Sequence, residues 1–91
     1  MSNIAVNSNG QSPVSLLVGP AREIEGLSFA NQTLTKLNLG GFVFKDCDFS
    51  GSDFSRTGLA GAEFVRCKAY AAKFKYAKAE EAKFQGCNFA M

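Results

Sequence analysis

From Phe29 to Phe89 every fifth residue is apolar: Phe29, Leu34, Leu39, Phe44, Phe49, Phe54, Leu59, Phe64, Ala69, Phe74, Ala79, Phe84 and Phe89. Two positions before each runs a second series, Leu27, Gln32, Leu37, Phe42, Cys47, Ser52, Thr57, Ala62, Cys67, Ala72, Ala77, Ala82 and Cys87, whose members are all small from Cys47 onward. A helix repeats every ~3.6 residues and a half-buried strand every second residue, so neither produces this spacing. If five residues form one side of a square and four sides one coil, residues twenty apart stack along the axis at about 4.8 Å, the spacing of neighbouring strands. The longer period is present: Cys47, Cys67 and Cys87 share one phase, and Phe44, Phe64 and Phe84 another. Large residues would fill the interior, small ones would let the chain turn, and stacked coils would share backbone hydrogen bonds. In the coil from Phe64 to Ala79, Phe64 and Phe74 take opposite sides and Ala69 and Ala79 the other two, a complementarity expected to fill the interior without collision.

Segments such as Cys47-Asp48-Phe49-Ser50-Gly51 and Ala82-Lys83-Phe84-Gln85-Gly86 resemble the repeat of the pentapeptide-repeat family, in which a central Leu or Phe follows a small residue two places earlier. The resemblance covers residues 27–91 and implies an all-β fold, a right-handed quadrilateral β-helix of about three coils with a short N-terminal cap. Two departures stand out. Ala69 and Ala79 replace large central residues, while Leu27, Gln32, Leu37 and Phe42 exceed the usual small site. The first coil is therefore expected to be irregular and to merge with the cap. Residues 1–22 are expected to form a polar, partly mobile leader and cap, and residues 23–91 the solenoid.

With 91 residues, 46% of them hydrophobic, the chain is expected to be one domain near the size at which a conventional core becomes marginal. Nine Phe and no Trp make Phe the core material. No run approaches the roughly 18–20 apolar residues of a membrane span. The N-terminus lacks the charged region and long apolar segment of a Sec signal, so a cytoplasmic, reducing location in a bacterium or phage-infected host is expected, with export as an effector the alternative. Three cysteines agree with free thiols. At one phase they would form an axial column, but zinc requires convergent ligands and the chain has no His, so they read as inert core thiols. Catalysis has little to draw on, because no motif gathers acid, base and nucleophile, and the glycines Gly40, Gly41, Gly51, Gly58 and Gly61 lack the Lys-Ser/Thr ending of a phosphate-binding loop. No catalytic residue, cofactor or metal is expected, and the protein is not expected to be an enzyme.

Charges become informative once folded onto coils. Asp48 falls under Lys68, Asp53 under Lys73, Glu63 under Lys83 and Asp46 under Arg66, so opposite signs stack and specify register. Residues 22–63 hold four basic and six acidic side chains, a net of −2, and residues 64–91 six basic and two acidic, a net of +4. Two surfaces are expected to meet a partner, an acidic one at Asp46, Asp48, Asp53 and Glu63 and a basic one at Lys36, Arg56, Lys73, Lys75 and Tyr76. The next side is nearly bare, with Gly40, Gly41, Gly58, Ala60 and Gly61, and ends in Lys78, Glu80 and Glu81. Such rigid faces point to a non-enzymatic protein-binding inhibitor or regulator, preferably of a nucleic-acid-handling complex. The family resemblance implies DNA mimicry and topoisomerase blockade, and analogy with small stand-alone bacterial or phage proteins adds an anti-CRISPR-like counter-defence role. Topoisomerase protection fits less well, because the chain is short and carries a net charge of +2. The alternatives are weak direct nucleic-acid binding through the basic C-terminal coils, with Tyr70 or Tyr76 stacking on bases, and a secreted effector or structural spacer. Phe84 and Phe89 lie in the final coil, where an end-to-end homodimer would cover them.

Overall fold

Backbone hydrogen bonds between residues 19 and 21 apart in sequence pair positions twenty apart and wind the chain into a right-handed, four-sided β-solenoid. The structure, a computed structural model, describes residues 4–5, 17 and 22–89. One side is a parallel sheet of five strands in sequence order: β1 (Ile4–Ala5), β2 (Glu23–Glu25), β3 (Val43–Lys45), β4 (Glu63–Val65) and β5 (Lys83–Gln85). Its register sets Ile24 on Phe44, Phe44 on Phe64 and Phe64 on Phe84. The other three sides are held by parallel bridges along Ser28–Asp48–Lys68–Asn88, Thr33–Asp53–Lys73 and Asn38–Gly58–Lys78. Residues 22–41, 42–61 and 62–81 thus complete three coils, and residues 82–89 begin a fourth. The expected leader and cap of residues 1–22 lies largely outside the described residues; within it β1 pairs with β2 and Leu17 is buried in the core.

Each corner places one residue at positive φ, between 53° and 75°. At three corners the carbonyl of the central residue accepts from the amide three residues on, as in Ser52 N to Phe49 O and Thr57 N to Phe54 O at 3.0 Å, the pattern of a turn whose third residue is left-handed. Glycine fits there without steric cost. Gly51 uses this freedom, with φ at +69° and the Asn31 side chain packed where a Cβ would stand, 2.2 Å from Oδ1, while Asn31 and Ala71 take the same conformation in the neighbouring coils. At the corner that follows the five-stranded side, the small site is Cys in three successive coils. Each thiol donates to a carbonyl 23 residues back: Cys47 to Ile24 at 3.7 Å, Cys67 to Phe44 at 3.3 Å and Cys87 to Phe64 at 3.1 Å.

The first coil corrects one expectation. It is regular, with Ile24, Ser28, Thr33 and Asn38 all in register with the coil above. Oversize residues at the small site leave the backbone path unchanged. Leu27, Gln32 and Leu37 instead stay half-buried, and Phe42 is buried by stacking on Phe44 at 5.6 Å with the Arg22 guanidinium 5.0 Å from its ring centre.

Inside, aromatic rings repeat at the coil spacing. Phe29 stacks on Phe49 at 5.0 Å, Phe44 on Phe64 at 5.0 Å and Phe54 on Phe74 at 4.9 Å, while Phe44 meets Phe49 edge-on at 5.1 Å. Offset stacks along the axis and edge-to-face contacts across it are the two geometries that the ring quadrupole favours. In the third coil Phe74 is half-buried and Ala79 exposed, and an apolar hollow of about 10 Å³ opens among Ala69, Phe49, Phe64 and Phe89. No helix among the described residues is long and apolar enough to cross a membrane.

Candidate partner-binding surface

The acidic candidates do not form one surface. Asp46 and Glu63 belong to the five-stranded side, Asp48 to the second side and Asp53 to the third. Each also lies one coil below a cation. Arg66 grips Asp46 in a fork, Nε to Oδ1 at 2.9 Å and Nη2 to Oδ2 at 3.1 Å, and this hydrogen bond holds the Asp46 carboxyl below the usual carboxylate range. Asp48 accepts from the Ser50 amide and Asp53 from the Ser55 amide, both at 2.9 Å. Hydrogen bonds from Ser50 and Ser55 lower the two carboxyls, with Lys68 and Lys73 adding a smaller coulombic effect. Glu63 is registered beside Lys83. An ion pair not anticipated from the sequence, Lys45 Nζ to Glu23 Oε1 at 2.8 Å, joins the first two coils.

The basic candidates do come together. Lys36, Arg56, Lys73, Lys75 and Tyr76 all project from the third side, which carries four basic side chains against the single acid Asp53, a net of +3. Lys36, Arg56, Lys75 and Tyr76, with Thr35 and Ser55, line a groove of about 230 Å³; Lys73 stands on the same side outside it. Tyr76 is 68% exposed, and its ring centre lies 5.8 Å from the Arg56 guanidinium and 5.4 Å from Lys75 Nζ. These are cation–π distances, so the ring is held by the charges beside it.

Two features of the third corner, which ends this side at Lys36, Arg56 and Tyr76, break the rules that the rest of the solenoid obeys. Charged residues one coil apart in the same column are elsewhere opposite in sign: Glu25 and Lys45, Asp46 and Arg66, Asp48 and Lys68, Asp53 and Lys73, Glu63 and Lys83. Lys36 and Arg56 are the like-charged exception, and like charges at directly opposed positions are unfavourable. The corner also seats large side chains at positive φ in every coil, Lys36 at 61°, Arg56 at 60° and Tyr76 at 61°, whereas each other corner uses Gly at one or more levels. A non-glycine residue in that region costs roughly 1–2 kcal/mol. Sequence reasoning found the basic residues but not the groove or the backbone conformation. The like-charged column was available from the twenty-residue register.

Cys47 and Cys67 are buried at 2% exposure, but Cys87 is half-buried rather than fully inside. Contact with Cys47 and then burial push the Cys67 thiol up, and burial pushes Cys87 up. Such thiols are poor nucleophiles. Among the described residues no three His, Cys, Asp or Glu side chains converge as a metal cluster would require. Phe84 and Phe89 are 39% and 41% exposed.

A family model described as pentapeptide repeats matches in eight copies, over residues 25–64 and 52–90. Among solved structures, the trypsin-treated form of QnrB1, a plasmid-mediated fluoroquinolone resistance protein, is similar at 27% identity and a TM-score of 0.49, over 71% of this chain and 39% of that one. This chain therefore spans well under half the length of that neighbour. No curated protein matches.

Proposed function

The chain belongs to the pentapeptide-repeat family, and from that premise we propose that it is a non-enzymatic binding protein whose third side docks on an acidic surface of a protein partner and so regulates it. One observation carries this reading: Lys36 stacked on Arg56, in a solenoid that otherwise pairs opposite signs between coils. Folding does not require that arrangement, and an anionic partner would relieve it. The rigid backbone keeps the ordering cost of docking low. The acidic candidates support recognition less well, because Asp46, Asp48, Asp53 and Glu63 are each registered with a cation in the next coil.

The preferred target is a nucleic-acid-handling complex in the cytoplasm. Enzymes that process nucleic acids hold their metal ions with carboxylates, so a basic docking face suits them. An anti-CRISPR-like or other counter-defence inhibitor is the specific form of this proposal, and topoisomerase protection is the less favoured one. Direct nucleic-acid binding is the second reading, favoured by the exposed Tyr76 ring beside three cations. Salt separates the two, because phosphate contacts weaken steeply with ionic strength and a packed protein interface does not. The test is affinity capture with mass spectrometry, using the wild type, the double variant Arg56→Glu with Lys75→Glu, and the double variant Asp46→Lys with Asp48→Lys. Loss of a partner only in the first variant is expected. Loss only in the second would move recognition to the acidic residues and overturn the proposal.

A further inference from the structure

We infer that the groove at the third corner receives a phosphate monoester, presented by a phosphorylated side chain of the partner protein. This rests on the partner-binding reading above and specifies what the partner presents there.

The argument begins with the cations. Lys36, Arg56 and Lys75 surround one groove of about 230 Å³, and among the described residues none of them is ion-paired. The groove spans three coil levels, roughly 10 Å at the strand spacing, which is room for one compact anion rather than a strand of phosphates. Its cationic character also ends at both edges. On one side stands the column Thr33, Asp53 and Lys73, in which the lysine is already registered with the aspartate. On the other lies the side built on Gly40, Gly41, Gly58 and Gly61, where Lys78 is outnumbered by Glu80 and Glu81, a net of −1. A continuous polyanion would need a longer track.

Charge and geometry then separate phosphate from carboxylate. A carboxylate brings one charge and two oxygens. A phosphate monoester brings a charge of about −1.5 to −2 and three strong acceptor oxygens, which matches three converging cations. The Arg56 fork can engage two of those oxygens at once. Tyr76, held against Arg56 and Lys75, walls the groove and offers an apolar face to whatever carries the phosphate.

The test uses the intact protein and nuclear magnetic resonance, titrating phenyl phosphate, inorganic phosphate and benzoate in turn. Amide signals of Lys36, Arg56, Lys75 and Tyr76 should shift and saturate with phenyl phosphate, and benzoate should bind at least about tenfold more weakly. Arg56→Lys, which keeps the charge and removes the fork, should weaken phenyl phosphate roughly tenfold with the other signals unmoved. Equal binding of benzoate, shifts scattered over Lys68 and Lys83, or tighter binding of a single-stranded oligonucleotide than of a phosphoserine peptide would each overturn the inference. Phosphatase treatment of the captured partner separates this inference from the function it rests on. Capture that survives the phosphatase but is lost with Arg56→Glu and Lys75→Glu sinks only the phosphate inference, whereas capture indifferent to that variant sinks the partner-binding reading as well.

Discussion

Phe49 and Phe89 occupy the same position on the same side of the solenoid, two coils apart, yet Phe49 is 1% exposed and Phe89 41%. The same contrast holds along the five-stranded side, where Phe44 is fully buried and Phe84 is 39% exposed. Their local sequences are alike, so the difference comes from the neighbours. A residue of the second coil is covered by a coil on each side, whereas residues 82–89 have one on a single side among the described residues. Burial in a solenoid is therefore a property of the stack, and stability should be graded along its axis in the same way.

The largest expected effect sets the two ends of that gradient. Phe49→Ala should destabilise by about 3–5 kcal/mol, as large-to-small core changes do, and Phe89→Ala by less than about 2 kcal/mol. Urea unfolding of both variants checks this, and equal losses would break the comparison. Thiol labelling sharpens it further: Cys87 should react first, Cys47 and Cys67 only on unfolding, whereas simultaneous native labelling of all three would contradict the burial gradient.

The exposed end offers a third test. If Phe84 and Phe89 of two copies cover each other, sedimentation should show a dimer that Phe89→Asp abolishes. Added salt should strengthen it, because Lys78 and Lys83 would approach their symmetry mates. A monomer throughout the micromolar range would remove this pairing.

The smallest effect is electrostatic. Asp46, Asp48 and Asp53 have folded values below their ordinary ones, so their stabilisation is present above about pH 4 and is lost as the pH falls through the lowered values. Thermal melts should therefore show a midpoint that drops on acidification, and Asp48→Asn with Asp53→Asn should shrink that drop. An unchanged drop would mean that these carboxyls do not report on the coil contacts.

The five-residue spacing specified the sides, and the twenty-residue phase specified the register, including the column Asp46–Arg66 that the structure closes as a fork. Both are legible because the central inward column is apolar at every level, while the small-site column admits Ser52 and Thr57, buried with their hydroxyls donating to backbone carbonyls. The regularity of the first coil was not legible, since amides and carbonyls that nearly every residue carries hold the ladder whatever the size of Leu27 or Leu37. The thiol donors were missed for a related reason: a small apolar residue and a cysteine fill the same site, and only the carbonyls of Ile24, Phe44 and Phe64 distinguish them. For the third corner, the residue types were readable and their shared side followed from the register. Its groove and left-handed backbone depend on how Lys36, Arg56 and Tyr76 turn the chain, which the side-chain pattern does not encode.

The central claim is that the third corner is shaped for binding at the expense of stability, and replacing its residues with glycine tests that most directly. Arg56→Gly with Tyr76→Gly removes two strained left-handed residues and one member of the like-charged column. Relief of that strain opposes the extra unfolded-chain freedom of glycine, so the thermal midpoint should stay level or rise. Capture of the protein partner, measured on the same samples, should be lost. A variant that melts several degrees lower, or that captures the partner as well as the wild type, would show that the corner serves the fold and not the partner.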